Sequence, residues 1–327
     1  MKCLVTGATG FLGTNLVHVL ADAGHEVRAL GLPGSRTDFI EDRADVVLVD
    51  ILEPRELEAA TAGMEVVFHV AGDTSFWVRR FARQRAVNVD GTANVIAACQ
   101  RHEVRRLVHT STVDTLGYDP RGIADETWSD YNYAGWRYNY ADTKREGERL
   151  AVAARADGLD VVVIHPGSML GPYDFTLQYG RIFRELAAGK IPAIPSGGSS
   201  FGHVAEVARA HLAAAEHDAP QAHYICAGDN VTYRDLFERM AAKVGAGAPR
   251  FDLPRPLAVA YGKTMELASR LTGRPPDLDP GMARYMSIRA WYDSSRAQRD
   301  LAYRLVPLDD QIEDAHRWLS EHGLLGA

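Results

Sequence analysis

Three evenly spaced glycines, Gly7, Gly10 and Gly13, stand between a short apolar run and an amphipathic one. Lys2–Val5 reads as a buried strand, and Gly13–Ala23 as a helix. Leu12, Leu16, Val19 and Leu20 form one apolar stripe, and Gly24 is placed to end the helix. A glycine loop between strand and helix suits a dinucleotide. One glycine permits the tight turn, one lets backbone approach the pyrophosphate, and one lets helix pack on strand. Gly7, Thr9, Gly10, Phe11, Leu12 and Gly13 are therefore expected to touch the cofactor. The spacing is one residue longer than the commonest fingerprint. The plainer alternative is a glycine-rich turn that binds nothing.

The alternation continues beyond the loop. Glu26–Leu30, Val46–Val49, Val66–Val70, Leu107–His109 and Val161–Ile164 read as buried strands. Between them, Pro54–Ala60, Asn88–Arg101 and Tyr140–Ala156 read as helices. Such alternation predicts an α/β fold, a Rossmann-type doubly wound parallel sheet with helices on both faces. After Pro166 the Gly- and Pro-rich stretch 167–202 is expected to leave the sheet. Val204–Glu216 then returns as a helix and His223–Ala227 as a strand. We expect a dinucleotide-binding domain of residues 1–168 plus about 202–231. A smaller interleaved C-terminal substrate domain takes about 169–201 plus 232–327.

Bulk properties narrow the function. A net charge of -7 argues against binding a phosphate backbone, so no nucleic-acid partner is expected. Three scattered cysteines, Cys3, Cys99 and Cys226, make neither a disulfide framework nor a zinc pattern, which suits a cytoplasmic location. The chain runs from Met1 almost directly into the glycine loop, leaving no room for a signal peptide. No stretch reaches transmembrane length without charge, so no membrane partner is expected. His203, His211 and His217 lie on or beside one helix without a tight carboxylate–histidine arrangement, so no metal is expected.

The cofactor reading rests on strand ends. Enzymes using NAD place an acid at the end of the second strand to hold the ribose hydroxyls. Here that stretch is Val27-Arg-Ala-Leu-Gly-Leu32, without an acid, and Arg36 follows. Arg36 could meet a 2′-phosphate or be a solvated loop charge; the reading is NADP, with NAD as the alternative. Asp50 and Ile51 end the third strand, where an adenine edge could be read. Val70, Ala71 and Gly72 end the fourth, where small residues let a cofactor pass.

Tyr140 and Lys144 are four apart on one helix and so share a face. A phenol is a poor acid–base group at neutral pH, but a neighbouring ammonium favours the phenolate. Lys144 could also hold the nicotinamide ribose. Thr110, Ser111 and Thr112 end the fifth strand at the same sheet edge and supply hydroxyls for a substrate oxygen. Alone, the Tyr–Lys pair reads as an ordinary surface pair. Behind the glycine loop, it reads as a proton-transfer site. The aromatic stretch Tyr131, Tyr133, Trp136, Tyr138 and Tyr140 could pack a loop or wall an apolar pocket, and its place beside Tyr140 favours the pocket.

At this point the chain resembles the extended short-chain dehydrogenase/reductase family. The resemblance includes Phe68-His-Val-Ala-Gly72, Asn88-Val-Asp-Gly-Thr92, His165-Pro-Gly-Ser-Met-Leu-Gly-Pro172 and Phe201–Ala208. It implies Thr112, Tyr140 and Lys144 as the catalytic set, with Ser111 as neighbour and Asn88 in support. It also implies cofactor contacts at Thr110, His165, Pro166, Gly167 and Ser168, and a homodimer through helices including that of Tyr140. Sugar-nucleotide dehydratases carry Thr-Asp-Glu where this chain has Thr112-Val113-Asp114, so the acid–base pair for water elimination is missing. Ile164–Ser168 and Phe76-Trp77 look more like dihydroflavonol-reductase-like carbonyl reductases and hydroxysteroid dehydrogenases. The expected activity is carbonyl reduction or alcohol oxidation, with Phe76, Trp77, Thr112, Tyr140 and Met169 facing a small, partly apolar substrate. The alternatives are an epimerase that retains NAD and a dinucleotide-binding redox sensor without turnover.

Overall fold

Side chains on successive strand residues point to opposite faces, and both faces are buried here, so each strand serves two cores. The computed structural model describes residues 1–325. In the first half, β1 (Lys2–Thr6), α1 (Phe11–Asp22), β2 (Glu26–Gly31), β3 (Asp45–Leu48), α2 (Pro54–Thr61), β4 (Val66–His69), α3 (Phe81–Arg85), α4 (Gly91–Arg101), β5 (Arg106–Thr110), α5 (Asn139–Ala153) and β6 (Val161–Pro166) follow in order. The remainder runs β7 (Ser168–Leu170), α6 (Gly180–Ala187), β8 (Ala193–Pro195), β9 (Gly198–His203), α7 (Val204–Glu216), β10 (His223–Cys226), β11 (Asp229–Thr232), α8 (Tyr233–Lys243), β12 (Phe251–Leu253), α9 (Arg255–Thr272), α10 (Pro280–Tyr285), α11 (Ser295–Leu301) and α12 (Leu308–Glu321).

The main sheet has seven strands in the order β10-β6-β5-β4-β1-β2-β3, and every pair is parallel. The doubly wound expectation is met. Strand order reverses at β1, between β4 and β2, which is where such sheets bind ligands. Cys3, Val5, Val27 and Phe68 pack on the face covered by α1 and α7. Leu4, Leu30, Val67 and Leu107 pack on the face covered by α2, α4 and α5.

One element departs from its simple helical reading. The segment from Asn88 does not start as a regular α-helix: Ala86–Asp90 forms a π turn, and α4 begins at Gly91. A π turn re-aims side chains within a helix, and it does so here at Asn88.

After β6 the chain leaves the sheet as expected. β11-β9-β7 form a small second sheet, and β12 pairs with β8. Phe183, Phe201, Leu236, Met240 and Ile312 build a separate core there. The chain then returns, placing Ala297, Leu301 and Tyr303 in the core beside α1 and α7. The two units therefore share their C-terminal segment.

Candidate active site

The loop after β1 has the shape its glycines imply. Gly7 takes φ +67°, and a Cβ there would meet the Ala71 backbone at 2.7 Å. A Cβ on Gly13 would lie 2.0 Å from the Gly7 carbonyl oxygen, so α1 packs onto the turn only through glycine. Helix α1 starts at Gly10 with no side-chain cap and no acid in its first turn. Its leading N–H groups are thus left for an anion. Thr6 Oγ1 accepts from the Ala71 N–H at 3.2 Å and bonds His69 Nδ1 at 2.8 Å, tying the ends of β1 and β4 together. These features fit a dinucleotide across the switch point.

Along the rest of that groove the expected contacts are unevenly placed. Gly72 is open, with Asn88 Oδ1 3.3 Å from where its Cβ would be. Asp50 is half-buried and accepts from Arg83 at 3.2 Å, while Ile51 is buried against Gly91. The end of β2 presents Gly31 packed on Thr9, then exposed Leu32, and no acid. Arg36 is not free: it donates twice to Asp38, at 2.6 and 2.8 Å, and its guanidinium lies 4.5 Å from the Phe39 ring centre.

Asn88 organises the neighbouring loop. Its Oδ1 accepts from the Asp73 N–H at 2.8 Å, and its Nδ2 donates to the Asp73 carbonyl and to Thr143 Oγ1. Lys144 is buried on α5 and donates to the Thr110 carbonyl at 2.7 Å. Burial lowers its pKa to about 8, against the attraction of Glu148.

The hydroxyl run splits by direction. Ser111 Oγ turns away and donates to Glu148 Oε2 at 2.5 Å. Thr112 keeps its Oγ1 near the site, where it accepts a 3.3 Å bond from the Asp114 N–H and lies beside the Tyr140 phenol. Tyr140 is half-buried at the start of α5. Its phenol is shifted upward by burial and by the Asp114 charge, while the Thr112 side chain pulls the other way. Lys144 lies on the same helix one turn on, with its ammonium held by the Thr110 carbonyl.

Phe76 stacks on Tyr138 and stands edge-on to Tyr140, both at 6.0 Å between ring centres. The indole N–H of Trp77 donates to Ser269 Oγ of α9 at 2.9 Å. Of the five aromatics in the stretch, Tyr133 and Tyr138 are buried with Tyr285 and Tyr292, and Tyr131, Trp136 and Tyr140 pack against that cluster partly buried. Met169 is half-buried against the α1/α7 core.

Two groups were missed in the sequence. Asp114 is buried among tyrosines, accepts from Tyr138 Oη at 2.7 Å, and has its pKa raised by burial to about 6. It supplies one carboxyl where dehydratases carry two acids. Glu148 lies one turn beyond Lys144 and accepts from both Ser111 and Thr115. Burial alone would raise its pKa, but His165 and the two hydroxyls hold it below the usual carboxylate range. The signal that could have found it is its spacing of four from Lys144.

His165 belongs to this inner group rather than to the cofactor groove. Its Nδ1 lies 3.2 Å from the Thr112 carbonyl and its Nε2 3.0 Å from His223 Nδ1. Pro166 ends β6, and Gly167 is pinned by its N–H to the Cys226 carbonyl. Ser168 bonds Tyr179 and Ser199, which turns its hydroxyl to the small sheet. Of the three histidines weighed for metal, His211 bonds Thr110 and the Val207 carbonyl, and His203 caps α7. His217 caps the turn at Ala219.

Residues 3–227 match the NAD dependent epimerase/dehydratase family, and the chain belongs to that family. Within it the protein is an NAD(P)-dependent oxidoreductase of the extended short-chain dehydrogenase/reductase type. It is 28% identical to a putative dihydroflavonol 4-reductase of Synechocystis sp., covering 98% of this chain and 94% of that one. It is 31% identical to a 2-alkyl-3-oxoalkanoate reductase of Stenotrophomonas maltophilia, covering 93% and 94%. The crystal structure of gox2253 superposes with a TM-score of 0.85 at 29% identity, covering 99% of both chains.

Proposed function

We propose that the protein reduces a small, partly apolar carbonyl compound, with Tyr140 as proton donor. The observation that carries this reading is the division of the hydroxyl run: Ser111 is committed to Glu148, while Thr112 faces Tyr140. Thr112 then orients the substrate oxygen, and Tyr140 gives its proton to the alkoxide as it forms. A phenol held above its ordinary range stays protonated at neutral pH, which suits a donor more than a base. Lys144, fixed by the Thr110 carbonyl, would hold the ribose hydroxyls. NAD(P)H, when bound, supplies the hydride. The Phe76–Tyr138–Tyr140 wall supports an apolar substrate, as do relatives named as reductases.

The family uses NAD, and we infer a preference here for NADPH. The acid-free end of β2 supports it, and Arg36 would have to exchange Asp38 for a 2′-phosphate.

Oxidation of NADPH and NADH against a panel of ketones and aldehydes tests both readings. Tyr140→Phe is expected to lose about 10²- to 10⁴-fold in turnover while still binding the cofactor. Full turnover by that variant would sink the mechanism. A tightly held nucleotide with no net NADPH oxidation would instead indicate an epimerase.

A further inference from the structure

Helix α9 is amphipathic in the wrong sense for a soluble surface. Its buried face carries Ala258, Gly262, Glu266 and Ser269. Its outer face carries Leu257, Tyr261, Leu267 and Leu271, which are 60, 45, 60 and 83% exposed. At 100° per residue these four side chains fall within a third of the helix circumference, opposite the buried stripe. Leucines at such exposure on one helix form a patch rather than scattered singles.

A second apolar edge adjoins the first. Val78 and Phe81, 36 and 39% exposed, lie on the turn and helix that follow the β4 loop. That segment is tied to α9 by Trp77 to Ser269 and by Arg79 to the Arg270 carbonyl, at 2.9 and 3.0 Å.

The charge around this patch is mostly positive, although Arg83 pairs with Asp50 and Arg85 with Asp90 and Glu146, and Asp277 and Asp279 follow α9. Segment 76–85 holds Arg79, Arg80, Arg83 and Arg85 and no acid. Segment 255–276 holds Arg255, Lys263, Arg270 and Arg274 against a single acid, Glu266, which is buried and paired with Arg137 and Arg270. Among the described residues, Arg79, Arg80, Lys263 and Arg274 make no salt bridge. In a chain of net charge -7, this concentration of cations beside exposed leucines is a local reversal.

We propose that α9 and the Val78–Phe81 turn dock on an anionic lipid surface. Apolar side chains would enter the acyl boundary while arginines and lysine meet lipid phosphates and carboxylates. The contact is peripheral, because among the described residues no helix is long and apolar enough to cross a membrane. Hydropathy by run length passes over α9 because its leucines are spread around one face between polar residues.

The inner side of the same helix borders a small cleft near Tyr140. The cleft is lined by Phe76, Val78, Arg137, Asn139 and Glu266, one residue from Tyr140.

Binding can be read without activity, so its failure is separable from failure of the reductase reading. The full chain is mixed with phosphatidylcholine vesicles, with and without phosphatidylserine, and floated on a density gradient. Wild type is expected to float with phosphatidylserine vesicles and to be released by salt. L257S/L267S/L271S should reduce the floated fraction at least about tenfold. R80E/K263E/R274E should abolish the preference for phosphatidylserine. Thermal melting and light scattering of the same variants report folding and oligomeric state. Flotation of wild type no greater than of the leucine variant would overturn the proposal. So would a self-associated wild type that the leucine substitutions turn into a smaller species, since the patch would then be an interface between copies.

Discussion

Helices α5 and α9 both line the cleft beside Tyr140, and they turn their polar groups to different uses. On α5, Thr143, Lys144 and Glu148 point inward and are held by Asn88, the Thr110 carbonyl, Ser111 and Thr115. On α9, leucines point outward while Glu266 and Ser269 are buried. Buried polar groups cost free energy unless they are paired, so α5 is specified by partners on β5 and on the π turn. On α9 the buried stripe is held by Trp77 and Arg137, while the exposed leucines are the face that the proposed lipid contact would cover. An inverted amphipathic pattern therefore marks chemistry in one helix and a surface in the other.

The comparison can be broken at Glu148 first. Glu148→Ala leaves the Ser111 and Thr115 hydroxyls without their shared acceptor. It should cost about 2 to 3 kcal/mol in a denaturant titration. A loss as small as that of an exposed carboxylate would mean that α5 does not depend on its inward polar face.

Asp114 sharpens the electrostatic side. Its charge raises the Tyr140 pKa, and its own pKa is about 6, so above that pH it helps keep the phenol protonated. Asp114→Asn removes that charge and lowers the Tyr140 pKa. Reduction needs the protonated phenol, so the alkaline fall in turnover should move to lower pH in the variant. An unmoved profile would show that the carboxylate does not act on Tyr140.

The smallest effect is expected on α9. Leu267→Ser with Leu271→Ser should change folding stability by no more than about 0.5 kcal/mol, because neither side chain is buried. A large loss in thermal or chemical denaturation would place those leucines against protein and remove the contrast between the two helices.

Much of the first half was legible because its rules are local. A strand, three glycines and an amphipathic helix can be read within twenty-odd residues, and Tyr140 and Lys144 share a face by helical geometry alone. Thr112 could be picked from resemblance. Its separation from Ser111 could not, because it depends on Glu148 lying opposite one hydroxyl and not the other. His165 was misplaced for a related reason. It is the last residue but one of β6, and His223 on β10 and the Thr112 carbonyl hold its ring inward. Arg36 is not free, because Asp38, two residues on, accepts from its Nε and Nη2.

The sequence by itself determined the parallel sheet, the dinucleotide loop and the Tyr–Lys pair, since each follows from backbone sterics or short-range periodicity. Tertiary structure decided which hydroxyl is free, which charges reach the phenol and which side of α9 meets the outside. Those outcomes depend on burial and on partners more than thirty residues away: Thr110 and Lys144, Ser111 and Glu148, Trp77 and Ser269. The energy of a polar group is set by what surrounds it, and only the folded chain brings those surroundings together.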